Sequence, residues 1–198
     1  MNSVEVNNIL VCGVGGQGII TIGRLIGSAL VEKGINTRIT EVHGLAQRGG
    51  SVNVHVRFGK DVHSPLISKG SANAIVALEL IEALRYLDYL STNGILIVND
   101  VLIPPPLPGV RVPSKEEILE EFEKLNIKYY LLNALDIAYK AGHPAVANVV
   151  MIGAMIALKL LPLTLEDIEA SIRQNLPAKF HEINIQALHL GFQAITKK

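Results

Sequence analysis

The sequence predicts an α/β protein, a Rossmann-like three-layer fold. Its mostly parallel sheet carries an antiparallel or edge strand, and helices gather towards the C-terminus. Three observations predict it. An apolar run from Ile9 to Cys12 reads as a buried strand; a glycine turn follows, and then apolar residues at helical spacing: Ile19, Ile22, Leu25, Ile26, Ala29 and Leu30. Strand-like and helix-like stretches then alternate along most of the chain, the pattern of a parallel sheet covered by helices. At 198 residues the chain is of one-domain length and can bury a sizeable core, so residues 1–198 are read as a single domain.

The turn is Gly13-Val14-Gly15-Gly16-Gln17-Gly18. Gly13, Gly15 and Gly18 satisfy G-x-G-x-x-G, and Gly16 leaves the loop barer still, so that backbone can approach a ligand. Strand, glycine turn and helix are the parts of a site that cradles an anion on N–H groups at a helix N-terminus. The same glycines also suit a turn that only packs tightly on the sheet. The loop by itself does not choose between the two.

After the first helix, Lys33-Gly34 reads as a stop, and Thr37 to Val42 as a second strand. Glu41 stands close to where a dinucleotide-binding fold places the acid that holds a ribose, which keeps a nicotinamide or flavin reading open. A doubly wound fold normally starts a helix next. Here a glycine-flanked polar loop, His43-Gly44-Leu45-Ala46-Gln47-Arg48-Gly49-Gly50-Ser51, runs into Val52 to Phe58. The latter alternates with period two and reads as a half-exposed strand. Two strands without an intervening helix point to an antiparallel or edge addition. The loop falls on the rim of the glycine turn, where ligands of open α/β sheets bind. His43, Gln47 and Arg48 place donors and a fixed positive charge there. Gly49-Gly50 beside Arg48 suits close approach by a phosphate or a partner backbone. The bland alternative is a solvated turn in which Arg48 pairs with Glu41. His43, His55 and His63 match no usual zinc spacing, and His55 is expected on the polar face of its strand with Asn53 and Arg57, in a structural role.

Farther on, Asp61 to Ser71 reads as a loop or hairpin, Ala74 to Leu78 as a short buried strand and Glu79 to Leu90 as a helix. Asn93-Gly94 reads as a turn into the strand Ile95 to Val98, and Pro104-Pro105-Pro106 as a stiff excursion. Ser114 followed by Glu117 is a capping-box signature opening a helix that ends near Asn126. Lys128 to Leu132 is the last strand. Helices follow over Asn133 to Ala141, over the apolar stretch Ala145 to Leu158, after Thr164, and over Phe180 to Ile195, with Gly142-His143-Pro144 as a break.

Composition narrows the function. Lys+Arg and Asp+Glu both number 18, and no basic stripe is present, which argues against nucleic acid as the main partner. Zero net charge, 49% hydrophobic residues and no Trp fit a protein that hides surface against a partner. Cys12 is the only cysteine. That excludes an internal disulfide, a cysteine-ligated iron–sulfur cluster and a Cys₄ zinc site. At the end of a buried strand, it is expected to be an inert thiol. Met1 to Asn8 carries no signal pattern, and Ala145 to Leu158, apolar apart from Asn148, is too short to span a bilayer. A cytoplasmic protein without membrane association is expected.

The glycine turn, the run Glu41-Val42-His43-Gly44-Leu45-Ala46-Gln47-Arg48-Gly49-Gly50-Ser51 and Ser64-Pro65-Leu66-Ile67 resemble the gamma-type component of 2-oxoacid:ferredoxin oxidoreductases. The nearest likeness is to the small (beta) subunits of the indolepyruvate ferredoxin oxidoreductases. It extends to Asn148 to Ala154, to Glu182-Ile183-Asn184, and to Ala187 and Gly191. The resemblance implies oxidative decarboxylation of indolepyruvate or another arylpyruvate to the aryl-acetyl-CoA, with ferredoxin as electron acceptor. It also implies a hetero-oligomer whose large subunit holds thiamine diphosphate, magnesium and the iron–sulfur clusters. The residues agree: one cysteine cannot hold a cluster, and no Gly-Asp-Gly with a distant Asn, the mark of a thiamine diphosphate–magnesium site, is present. The chain is therefore expected to be inactive alone and to hold no cofactor or metal. Its expected role is to close the large subunit's active site, to help seat coenzyme A as co-substrate, or both. The candidate binding residues are Gly13, Gly15, Gly16, Gln17, Gly18, His43, Gln47, Arg48, Gly49 and Gly50, and none is assigned as catalytic. Two rivals remain: an autonomous NAD(P)-dependent oxidoreductase resting on the glycines and Glu41, and an assembly subunit that binds no ligand.

Overall fold

The computed structural model describes residues 6–45, 49–105 and 109–196. Its core is a six-stranded sheet in the order β2-β3-β1-β4-β5-β6. The strands are β1 (Asn7–Val14), β2 (Thr37–His43), β3 (Ser51–Phe58), β4 (Ala72–Ala77), β5 (Leu90–Asn99) and β6 (Lys128–Leu132). β1, β4, β5 and β6 pair in parallel. β3 runs antiparallel to both β1 and β2 and lies between them. The antiparallel addition expected from the missing helix is thus an insertion beside the first strand.

Alternation along β1 divides the interior. Ile9 and Val11 face a layer containing α1 (Ile19–Glu32) and α5 (Ala147–Ala157); Leu10 and Cys12 face α2 (Leu80–Arg85) and α3 (Lys115–Lys124). α1 lies close over the sheet because Gly23 and Gly27 bear no side chain where Val54 and Ile39 press against the helix. α5 is buried on nearly all sides, as a sequence apolar apart from Asn148 requires. It crosses α7 (His181–Thr196) where Gly153 meets the backbone of Leu188 and Gly191 meets that of Val150. α4 (Ala134–Ala141) and α6 (Leu165–Asn175) complete that side. The capping box at Ser114 is formed, and a second one, Thr164 with Asp167, opens α6.

Three expectations are corrected. β3 is buried on both faces rather than half-exposed, with Asn53 at 4% and His55 at 3% exposure. The cover comes from distant chain: Tyr86 Oη accepts from Asn53 Nδ2 (2.8 Å), the Ile67 N–H donates to His55 Nδ1 (3.1 Å), and Tyr89 meets His55 edge-on. The helix expected over Glu79 to Leu90 is the short α2 followed by a 3₁₀ turn, Leu87–Tyr89. Asn93-Gly94 lies inside β5, not in a turn. The pairing shifts between Ala72 and Ala74 there, and a Cβ on Gly94 would strike Leu90 and the Ala72 carbonyl. Of the proline excursion, Pro106 lies outside the described residues. Among the described residues, no helix is long and apolar enough to cross a membrane.

Candidate functional site

The glycine turn caps β1 and opens α1. Gly16 (φ 107°) and Gly18 (φ 79°) take left-handed backbone that other residues enter at a cost, and Gly18 is the N-cap of α1. Among the described residues no side chain caps the helix, and its first turn contains no acid, so no anion of the described chain meets its N-terminal N–H groups. Gln17 folds inwards: its Oε1 accepts the Val14 N–H (2.8 Å) and its Nε2 donates to the Leu78 carbonyl (3.0 Å). Gly13 lies within β1 opposite Val52, where a Cβ would meet Gln17 Oε1 at 2.7 Å and Leu78 Cβ at 3.1 Å. The structure therefore gives Gly13 and Gln17 internal contacts that hold the turn.

The second predicted stretch is brought against the first. Gly15 N–H donates to the Gly50 carbonyl (2.8 Å), and Gly49 N–H donates to the Gly15 carbonyl (3.2 Å). His43, at the end of β2, shares with Gly15, Gly16, Gly18 and Ile20 a recess of about 260 Å³. Gln47 and Arg48, named with them from the sequence, lie outside the described residues, as does any pairing of Arg48 with Glu41.

On the other side of the turn lies a larger cavity of about 1040 Å³. Gly16, Gln17, Gly18 and Thr21 form one wall, and Leu78, Asn99, Val101 and Ile103 a second. The α4–α5 junction from Gly142 to Asn148 and the stretch Leu176 to Asn184 close the rest. Much of the lining is aliphatic. Its polar points are few, as in pockets that grip a largely apolar ligand at a few fixed groups. Asn148, 6% exposed, donates from Nδ2 to the Gly18 carbonyl (3.3 Å) and fills the space a Gly18 side chain would need. Asn184 donates from Nδ2 to the Phe180 carbonyl (2.7 Å). His143 accepts the Ala145 N–H at Nδ1 (3.1 Å), so the neutral ring carries its proton on Nε2. Lys179 supplies a cation, 4.9 Å from the Phe180 ring centroid.

Sequence reasoning did not assign His143, Asn148, Lys179 or Asn184 to the site. A signal existed for two of them. Asn148 is the one polar residue in the apolar stretch Ala145 to Leu158, and Asn184 lies in the Glu182-Ile183-Asn184 stretch that carries part of the resemblance. No local pattern tied Lys179 to the glycine turn, because α7 reaches the rim only by packing on α5.

Two predicted groups stand apart from the rim. Cys12 points to the opposite face of the sheet, wholly buried, with Sγ 3.6 Å from the Glu82 carbonyl. Burial raises its pKa well above the ordinary thiol value, helped by the charges of Glu82 and Glu79, so it is a structural thiol. Glu41 sits on β2, which β3 separates from β1. A dinucleotide-binding sheet places its ribose-binding acid on the strand next to the first. The inserted strand moves Glu41 outwards by about 4.8 Å, one strand spacing. This removes the support for the autonomous NAD(P) reading.

The single buried cysteine cannot ligate an iron–sulfur cluster. Among the described residues, no three His, Cys, Asp or Glu side chains converge as a metal site would need.

An open α/β sheet with a bare glycine turn, an inserted antiparallel strand and a rim cavity defines a Rossmann-like fold with its open recesses on the rim of the sheet. The chain belongs to the pyruvate ferredoxin/flavodoxin oxidoreductase family, whose model matches residues 8–194. It is similar to the indolepyruvate oxidoreductase subunit IorB of Archaeoglobus fulgidus, at 42% identity over 96% of each chain. The IorB subunit of Pyrococcus horikoshii is 40% identical, over 94% of this chain and 95% of its own. Among solved structures, the gamma subunit of a keto/oxoacid ferredoxin oxidoreductase from Geobacter sulfurreducens superposes with a TM-score of 0.72. It is 25% identical, and the match covers 97% of this chain and 99% of that one. The chain is thus a small, gamma-type subunit of 2-oxoacid:ferredoxin oxidoreductases.

Proposed function

We propose that this subunit serves the oxidative decarboxylation of indolepyruvate or a related arylpyruvate to the aryl-acetyl-CoA, with electrons leaving to ferredoxin. It acts with a large subunit that carries thiamine diphosphate, magnesium and the iron–sulfur clusters, and is inactive without it. Its part is to complete the active site and to help seat coenzyme A. The names of the relatives support the substrate class. The observation that carries the role is the uncapped N-terminus of α1, with no acid in its first turn, beside the cavity of about 1040 Å³. N–H groups there suit a phosphate, and the aliphatic walls suit an apolar arm.

The residues proposed to face the ligand or partner are Gly15, Gly16, Gly18, His43, Gly49 and Gly50, with Gln47 and Arg48 from the same loop; Gly13 and Gln17 shape the turn behind them. Arg48 offers a planar fork that Lys cannot copy. In the complex reconstituted with its large subunit, Arg48→Lys is expected to raise the apparent KM for coenzyme A about tenfold to a hundredfold. The KM for arylpyruvate and the affinity between subunits should hold. Weakened assembly alone would make the loop an interface, and no change in any of the three would remove Arg48 from the site.

A further inference from the structure

The walls of the rim converge on the C-terminal end of β4, where Leu78 and Glu79 follow the strand. The Leu78 carbonyl accepts Gln17 Nε2 from the glycine turn (3.0 Å) and Asn99 Nδ2 from the end of β5 (3.2 Å). Glu79 has no exposed surface. Its Oε1 accepts the Ile103 N–H (2.8 Å), and its Oε2 accepts the Glu82 N–H (2.8 Å). The next N–H, of Leu80, donates to the Val101 carbonyl (2.9 Å). The strap Val101 to Ile103, a wall of the cavity, is therefore held at two backbone points by consecutive residues.

Glu82 carries the connection across the sheet. It is 4% exposed and accepts from Arg85 Nε (2.9 Å) and from the Ser51 hydroxyl. Ser51 directly follows Gly49-Gly50, the pair bonded to Gly15. Tyr86 adds a contact from its hydroxyl to Ser51 Oγ (3.0 Å). One chain of bonds, buried at its centre and part-buried at its ends, thus runs from the strap, through Glu79 and Glu82, to the loop beside the glycine turn.

The residue type matters at Glu79. Two N–H donors from separate segments converge on it, so both side-chain oxygens must accept. An ionised carboxylate does this; a carboxamide keeps one acceptor and turns a donor against the second N–H. Removing either donor leaves buried charge short of a partner, which is costly.

We propose that Glu79 is a positioning residue of the site: with Glu82 it couples the strap 101–103, a cavity wall, to the loop 49–51 bonded to the glycine turn, so that strap and loop are held as one unit. The link to function rests on the coenzyme A reading above; the coupling itself is measured without ligand.

The test is amide hydrogen exchange on the whole 198-residue chain, comparing Glu79→Gln and Ser51→Ala, each read on the far side of the network. Ser51→Ala removes one hydroxyl and leaves the core filled. It is expected to speed exchange of the Ile103 N–H about tenfold or more, and Glu79→Gln to do the same at Gly15 and Gly49. The Ile168 amide in α6 should hold its rate, which separates coupling from global destabilisation. In the reconstituted complex, Glu79→Gln should raise the apparent KM for coenzyme A about tenfold with kcat retained, a split that a merely structural role does not give. Acceleration confined to the near side of each variant, or a parallel rise at Ile168, would overturn the coupling. Far-side acceleration without a change in that KM would uphold the coupling and count against the coenzyme A reading instead.

Discussion

At Gly16 the backbone and the space around it make separate demands. A methyl group there would meet nothing within 4 Å inside the chain, yet φ is 107°. Gly16→Ala should therefore cost the folded subunit only the backbone term, about 1–3 kcal/mol. A ligand or partner seated against the turn would meet the methyl group as well. Turnover of the reconstituted complex is expected to fall much further than that loss of stability accounts for. Thermal melts beside steady-state rates check this, and matching losses would leave Gly16 a folding residue only. His55 gives a second prediction. Burial lowers its pKa from 6.5, and Arg57 lowers it further; the neutral ring accepts the Ile67 N–H. The unfolded chain thus binds this proton more readily than the folded one does. The stabilisation is whole above about pH 6.5 and is lost as the pH falls through the depressed folded value. His55→Gln should flatten the stability profile across that window in urea melts at a series of pH values, and an unchanged slope would exclude His55 as its source.

Helix starts were legible where their capping signals are local. Ser114 with Glu117 and Thr164 with its early acids mark helix starts in the sequence, and both caps are formed. Ser114→Ala is expected to cost about 1 kcal/mol, read from the denaturation midpoint. β6 runs over the residues its apolar pattern marks. β3 misled because its polar face is covered by chain from beyond residue 60, and period-two alternation cannot distinguish water from Tyr86 and Tyr89 as a neighbour. Asn93-Gly94 misled because a turn dipeptide here serves a pairing irregularity within β5. The α5–α7 crossing was not legible, because it depends on which small residues of two distant helices meet, and the structure shows these to be Gly153 and Gly191. Gly153→Ala would push a methyl group into the backbone of Leu188 and Phe192. It is expected to destabilise the subunit by about 1–3 kcal/mol or more, and to loosen the cavity wall that α7 carries. A fall in the urea midpoint at unchanged m-value checks it.

For the whole molecule, the order of the sheet bears on a dinucleotide site more than any one motif does. The glycine fingerprint and Glu41 together permitted a dinucleotide site, and only the insertion of β3 between β1 and β2 separates them. That fact is non-local and could be anticipated only as a missing helix. The glycine turn and its place on the rim were legible, because strand, turn and helix are sequential. The cavity was not, since its walls come from distant stretches of the chain joined by packing. The account's central claim is that this chain completes an active site held by a larger partner. Titrating it into the large subunit, and following arylpyruvate- and coenzyme A-dependent dye reduction, tests that claim most directly. The account predicts no turnover from this chain alone and a rise that saturates at a fixed subunit ratio. Full turnover by the large subunit without it, or turnover by this chain alone, would contradict it.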